Sequence, residues 1–235
     1  MEVNAMKRLL ALLLALLLAL PIAAQGEYFN PRDINDAREQ AMDVFKLCAF
    51  SGEYYSSGRN YIVRWKKPIK IYVTGAPTAQ DLQTLDDFIM ELGLRVPCMP
   101  PVTRVGSQSS ANIVMYFCPL AEIGSHIPDY VEGNWGYFSF RFNDYLINKA
   151  SIGIATDVTS QQERNHLLQE ELVGALGLGN DHWQYDDSIL YQGWTTVQRL
   201  SEVDWLMLNF LYSPQVKPGN KQAQAEKALR QFYGF

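Results

Sequence analysis

The sequence predicts an α+β fold built around a small mixed sheet. Along the 235-residue chain, apolar segments follow one another in the order helix, strand, helix, strands, helix, helix. The helical segments show a 3.6-residue period, and the strand segments are short apolar or alternating runs. Strands and helices grouped in this way favour an α+β architecture. The length suits one domain of moderate size.

Residues 1–24 have the features of a secretory signal peptide. Lys7 and Arg8 precede a short core of leucine and alanine, and small residues end at Ala24. We predict cleavage after Ala24 and a periplasmic or secreted mature protein. A retained membrane helix is the alternative, but this apolar run is short for a span. No later stretch of the sequence is long and apolar enough to cross a bilayer.

The mature chain is acidic. Loss of Glu2, Lys7 and Arg8 changes the formal net charge from −5 to −6. An acidic chain without a basic run is poorly suited to bind nucleic acid or anionic lipid. We therefore expect no nucleic-acid partner, and no membrane span after signal cleavage.

Helical periodicity predicts five helices in the mature chain. Their ranges are 33–50, 78–94, 160–176, 201–212 and 221–235. Thr78 and Ser160 are each followed three positions later by an acidic residue, Asp81 and Glu163, which is the capping-box pattern. Gly177 stands where a left-handed C-terminal cap is expected. Apolar residues on one face of each helix predict that this face packs in the core.

Runs of β-branched and aromatic residues predict five strands. Their ranges are 61–65, 69–73, 112–117, 135–140 and 150–155. Residues 52–58 and the proline-containing residues 96–110 are predicted loops. The predicted organisation is a signal peptide over 1–24, a leader and helix over 25–60, a central domain over 61–213, and a linker and helix over 214–235.

Three cysteines make an odd count for an exported chain. We predict a disulfide between Cys98 and Cys118, because one follows a predicted helix and the other ends a predicted strand. Cys48 would then carry a free thiol. Three buried free thiols are the alternative.

The strongest functional signal lies between Glu170 and Asp181, in the sequence EELVGALGLGND. It resembles the metzincin zinc-peptidase motif H-E-x-x-H-x-x-G-x-x-H. Glu171 matches the glutamate that polarises the zinc-bound water, and Gly177 matches the glycine. Glu170, Gly174 and Asn180 stand where the motif has its three zinc-binding histidines. The resemblance therefore implies the shape of a zinc site without its standard ligands.

Two further stretches are similar to metzincin sequences. Residues 188–191, Ser-Ile-Leu-Tyr, resemble the Met-turn that lies below the zinc, with leucine in place of methionine. Residues 203–213 resemble the pattern on the final metzincin helix. Residues 61–156 match in layout alone. The core sequence also resembles exported bacterial families that read Glu-Glu-Leu-x-x-Ala-Leu-Gly-Leu-x-Asn-Asp and are described as zincin-like with unassigned function.

The resemblance implies a zincin-like domain with a backing helix, a small twisted mixed sheet, an active-site-type helix and a C-terminal helix. We expect this domain to bind a protein or peptide partner in its cleft or at the sheet edge, without a cofactor. The predicted cleft residues are Glu170, Gly174, Asn180, Asp181 and Tyr191. Seven aromatics either line the cleft or pack in the core: Trp135, Tyr137, Phe138, Trp183, Tyr185, Tyr191 and Trp194.

A metal-dependent hydrolase with a rebuilt site is the main alternative. His166 and Glu170 are four residues apart and share a helical face, as two ligands of one metal must. Asp181 or His182 could add a third ligand for zinc, and Glu171 would then act as general base. Calcium on Glu170, Asn180 and Asp181 is a second metal hypothesis. A structural component of the cell envelope is a third functional reading.

Overall fold

The computed structural model describes residues 31–50 and 59–235. The helices are α1 (Pro31–Phe50), α2 (Ala79–Arg95), the short α3 (Ile123–His126), α4 (Gln161–Leu176), α5 (Glu202–Tyr212) and α6 (Gln222–Tyr233). The strands are β1 (Arg64–Trp65), β2 (Ile69–Gly75), β3 (Val102–Arg104), β4 (Ile113–Cys118), β5 (Gly136–Asn143) and β6 (Leu146–Ala155). The predicted signal peptide and the predicted loop over 52–58 lie outside the described residues.

The six strands form one mixed sheet. Its main order is β3-β2-β4-β6-β5, and β1 pairs with the start of β6 through Arg64 and Leu146. All pairs are parallel except β5 with β6, which run antiparallel. The predicted α+β class with a mixed sheet is therefore confirmed in its coarse form.

The tight turn between β5 and β6 makes these strands longer than predicted. Asp144 and Tyr145, the two turn residues, have φ angles of 50° and 64°. Positive φ at both central residues is the geometry of a two-residue hairpin turn that continues the strands without splaying them. The pairing therefore extends to Asn143 and Leu146, beyond the predicted ends at 140 and 150.

Strand β3 contradicts the predicted loop over 96–110. Val102 pairs with Ile69 at the outer edge of the sheet, and Thr103 and Arg104 are exposed. A three-residue edge strand buries too little surface to require an apolar run. The composition of residues 96–110 is therefore typical of a loop, although part of this segment forms a strand.

Side-chain caps fix the starts of three helices. Thr78, Ser160 and Ser201 each accept a hydrogen bond from the backbone N–H three residues later, and each forms a full capping box. The predicted caps of α2 and α4 are thus confirmed. These caps give the helices defined start points next to the sheet.

Helix α4 is buried around most of its circumference, although the sequence predicts one apolar face. Its polar residues are satisfied by distant parts of the chain: Arg164 forms an ion pair with the fully buried Asp81, and the Gln169 amide donates to the Gln198 carbonyl at 3.0 Å. The helix contacts α2, β5 and β6. It is therefore a central element of the domain.

Three long-range side-chain hydrogen bonds satisfy the last carbonyls of α4. Trp65 Nε1 donates to Ala175 O, and the Tyr212 hydroxyl donates to Leu176 O, both at 2.9 Å. An Arg59 guanidinium nitrogen donates to Gly177 O at 2.9 Å. Since helix termini leave these carbonyls without intrahelical partners, the three donors hold the end of α4 in place.

The predicted Cys98–Cys118 disulfide is wrong, since all three cysteines are free thiols. Cys98 lies near Trp65, which pairs with the start of β6, whereas Cys118 pairs with Ala155 at the end of β6. The two cysteines therefore lie at opposite ends of the sheet.

Asp36–Phe235 form one compact unit. None of the helices within residues 31–50 and 59–235 is long and apolar enough to cross a membrane.

Candidate functional site

A cleft of about 920 Å³ lies between strand β5, helix α4 and the segment 178–195. Strand β5 lies at the sheet edge, and β6 is its only strand partner in the part of the chain that the structure describes. The cleft is lined by Glu170, Glu171, Gly174, Asp181 and Tyr191 from the predicted site. These residues, chosen from the motif, are therefore brought together around one cavity.

A phenylalanine ring fills the space beside Gly174, the residue that aligns with the second histidine of the motif. A Cβ atom on Gly174 would overlap the ring of Phe138, which comes from β5. The same ring lies 3.3 Å from the Cβ position of Gly179 and stacks on Phe140 with centroids 6.0 Å apart. The helix approaches the edge strand closely at Gly174, and the segment after the helix does so at Gly179, because neither glycine has a side chain. A histidine at position 174 would have no room, so the standard zinc ligand set does not fit this site.

Glu171 lies against the first residue of the edge strand. Its side chain lines the cleft, and only 8% of the residue is exposed. A Cβ atom on Gly136 would lie 2.5 Å from Glu171 Oε1. The carboxyl group is thus packed over strand backbone, at the position where the motif places a general base.

His166 and Glu170 form the closest predicted ligand pair. His166 Nδ1 lies 2.8 Å from the Val197 carbonyl, so this nitrogen donates, and Nε2 lies 3.4 Å from Glu170 Oε2. Burial lowers the pKa of His166, but the Glu170 carboxylate outweighs it and the pKa is raised above its ordinary value. Both side chains line the cleft.

His182 does not join this pair. The backbone N–H of Gln184 donates to its Nδ1 at 3.2 Å, and its Nε2 lies 3.0 Å from Ser188 Oγ. Nδ1 is thus an acceptor, and Nε2 carries the proton and donates. Burial lowers the pKa of His182 to about 4, so the ring is neutral near pH 7. Both ring nitrogens are engaged in hydrogen bonds within the turn below the cleft, so neither is placed to bind a metal.

Asp204 is the buried acceptor that holds this turn. It accepts hydrogen bonds from Ser188 Oγ at 2.5 Å, Ile189 N at 3.0 Å, and the N and Oγ of Ser201 at 2.8 and 3.0 Å. Burial raises the pKa of Asp204, and the hydrogen bonds oppose that shift. The sequence pattern over 203–213 contains Asp204 but gives no sign that it also binds the turn at Ser188.

The segment 178–195 places Asp181 and Tyr191 at the cleft. Backbone hydrogen bonds link His182 N to Leu190 O and Gln192 N to His182 O, at 3.0 and 2.8 Å. Asn180, predicted as a cleft residue, is not among the lining residues. Within residues 33–50 and 59–235, no group of three His, Cys, Asp or Glu residues is arranged to hold a metal ion.

Comparison with protein families assigns the chain to a known group of sequences. Residues 38–231 match the family described as Protein of unknown function (DUF2927). The chain belongs to the DUF2927 family. The matched region runs from helix α1 through helix α6, so it includes every element of the cleft. No curated protein matches the chain.

The contact between Gly174 and Phe138 in this DUF2927 chain predicts a steric effect. We expect Gly174→Ala to lower the free energy of unfolding by about 2 kcal/mol, since the added methyl group must displace a packed ring. Urea unfolding would measure the loss. Replacing Phe138 with leucine in the same chain should recover part of it, because the smaller side chain leaves room.

Gly93→Ala is the matched control in this family member. Gly93 lies in helix α2, and a Cβ atom there would meet nothing within 4 Å. This substitution should stabilise by up to about 1 kcal/mol through helix propensity. Equal effects of the two substitutions would show that Phe138 does not constrain position 174.

Proposed function

We propose that this chain is an exported zincin-like protein that binds an extended peptide, or a peptide segment of a protein partner, in its cleft. One observation carries the proposal. The Phe138 ring fills the space beside Gly174, at the motif position where a metzincin holds zinc. The cleft around that ring has a volume of about 920 Å³. A cavity of this size with an aromatic floor is suited to binding.

Three features support the zincin-like assignment. The motif glutamate and glycine, Glu171 and Gly177, lie on the helix that borders the cleft and at its end. The turn at Ser188 leads to Leu190 and Tyr191, which line the same cleft, and it is tied to helix α5 through Asp204. The edge strand borders the same cleft, as the resemblance implies. These relations join three separate sequence matches in one place.

Strand addition is the binding mode that this edge offers. The Trp135 carbonyl accepts a hydrogen bond from Ala155 N at 2.7 Å, so residue 135 faces β6. Because hydrogen-bonding direction alternates along an antiparallel pair, the backbone groups of Gly136, Phe138 and Phe140 face the outer edge. A peptide laid along β5 can pair with these groups and place alternate side chains toward the cleft.

Alternating backbone methylation tests this mode. Residues 25–235 would be screened against displayed random peptides of about eight residues, a length that matches β5. Synthetic copies of the selected peptides would then carry N-methyl groups on odd or on even positions. We expect one series to lose affinity by at least about tenfold and the other to keep it, because only one set of N–H groups faces the strand.

Two substitutions supply the controls for this experiment. Tyr191→Ala should weaken binding, since Tyr191 lines the cleft, whereas Tyr116→Ala on β4 should not, since Tyr116 stacks on His126 elsewhere. Equal losses for both methylated series would rule out strand pairing. Failure to select any peptide that competes for the cleft would overturn the binding proposal.

A metal-dependent hydrolase is the second candidate, and the His166 geometry favours it. A histidine whose Nδ1 donates to a carbonyl presents Nε2 as a ligand atom, and here Nε2 faces Glu170. Glu171→Gln separates the two functions. It should leave peptide binding largely intact, but it would abolish hydrolysis if Glu171 is a general base. One bound metal per chain, lost on changing His166 or Glu170, would favour the hydrolase.

A further inference from the structure

The cleft has an excess of acidic side chains. Its described lining residues include four carboxyl groups, from Asp129, Glu170, Glu171 and Asp181, and one guanidinium, from Arg59. Even if His166 is counted as a second positive charge beside Arg59, these groups carry a formal net negative charge. A cleft lined mainly by one sign of charge concentrates ligands of the opposite sign.

Arg59 carries the one guanidinium group among the described lining residues, and this group is directed at the protein itself. Arg59 donates to the carbonyls of Ala49 and Gly177 at 3.1 and 2.9 Å, and its guanidinium carbon lies 5.4 Å from the Phe140 ring centre. These contacts place its charge at the C-terminal end of helix α4, where carbonyl dipoles are negative. Arg59 therefore stabilises the helix end and is poorly placed to meet an anionic ligand.

Two exposed tryptophans lie at the cleft and beside it. Trp194 lines the cleft and is 62% exposed, and Trp183 is 68% exposed. Trp194 makes an edge contact with Trp135 at 5.1 Å between centroids, and Trp183 makes one with Tyr191 at 5.8 Å. Trp135 and Tyr191 both line the cleft. Each exposed indole is thus packed against a residue of the cleft wall. Exposure of such large apolar rings to water is unfavourable, so their position calls for an explanation.

We infer that the cleft selects peptides with lysine or arginine side chains, which bind between its carboxyl groups and the exposed indoles of Trp183 and Trp194. This inference rests on the proposed peptide-binding function and adds the chemical class of the ligand. Carboxylates attract the cation over several ångströms, and an indole ring binds it at close range through its π face. Acidic peptides meet repulsion in the same place.

Matched peptides test this selectivity. A selected or designed extended peptide would be prepared with lysine, norleucine or glutamate at its central position, and its affinity for residues 25–235 would be measured by calorimetry. We expect the lysine peptide to bind about tenfold more tightly than the norleucine peptide, and the glutamate peptide to bind most weakly. Raising the salt concentration should narrow the difference, since partly exposed charges are screened.

Three substitutions identify the groups responsible. Glu170→Gln, Asp181→Asn and Trp194→Ala should each reduce the preference for lysine over norleucine, and they should change affinity for the norleucine peptide much less. Glu91→Gln on helix α2 removes the same charge outside the cleft and should leave both affinities unchanged. Circular dichroism would verify that each variant is folded.

The outcomes separate this inference from the proposed function. Peptides that bind with no preference for the cationic series would overturn the inference and leave the peptide-binding function in place. Absence of binding by every peptide would overturn both. Tight binding of N-acetylglucosamine oligomers without peptide binding would overturn both as well, and would make the indoles a sugar-binding surface.

Discussion

Replacement of Asp204 with alanine is expected to lower the free energy of unfolding by about 4 kcal/mol. Asp204 is fully buried and accepts four hydrogen bonds, from Ser188, Ile189 and twice from Ser201. Alanine would leave these donors without an acceptor inside the protein, remove the acidic half of the capping box at the start of helix α5, and release the turn below the cleft. Urea unfolding followed by fluorescence would measure the change.

A neighbouring acidic residue provides the control for this result. Glu202 also lies in the first turn of α5, but its side chain is 72% exposed and pairs with Arg95. Glu202→Ala should cost less than about 1 kcal/mol, as exposed ion pairs do. Asp204→Asn should fall between the two, because it keeps the volume and one acceptor oxygen. Similar losses for Asp204→Ala and Glu202→Ala would contradict the role assigned to Asp204.

The protein should lose stability as the pH falls below 6.5, because of His182. Its pKa is about 4 in the folded protein against an ordinary value of 6.5. Between these values the unfolded chain binds more protons, so acid favours unfolding. Neutral His182 thus contributes stability that is fully present above pH 6.5. About 3 kcal/mol should be lost by pH 4.

His182→Gln isolates this effect from other titrations. Glutamine does not titrate, so the variant should show a smaller loss between pH 7 and pH 5, where about 2 kcal/mol of the difference accumulates. His166 acts in the opposite direction, since its pKa is raised, and His166→Gln should steepen the loss. Identical pH profiles for the native chain and His182→Gln would show that protonation of His182 does not destabilise the fold.

The parts of the fold that depend on nearby residues were predictable. Helices α2 and α4 begin where Thr78 and Ser160 predict, because a cap and its acidic partner lie within one turn. The sequence does not predict strand β3, because a short exposed strand forms by backbone pairing with its neighbour β2 and needs no apolar pattern of its own. The Cys98–Cys118 pairing failed for a similar reason, since element order does not reveal which end of a sheet a residue occupies.

The candidate site shows the same division. The motif places Glu170, Glu171 and Gly174 on one short stretch, and the structure places all three at the cleft. Phe138, which fills the space beside Gly174, comes from a strand 36 residues earlier in the sequence. The burial of polar residues on α4 likewise depends on partners such as Asp81 and Gln198. Such contacts arise only when distant segments pack together.

The end of helix α4 has a consequence for the order of folding. Its last carbonyls depend on Trp65, Tyr212 and Arg59, which lie 110, 36 and 118 residues away in the sequence. Closing loops of that length costs chain entropy before any bond is gained, so local helix formation should precede these contacts. The first turn of α4 can form early from its own cap, whereas its last turn, which carries Gly174, is completed only when the remote segments dock. The cleft is therefore among the last parts of the molecule to take shape.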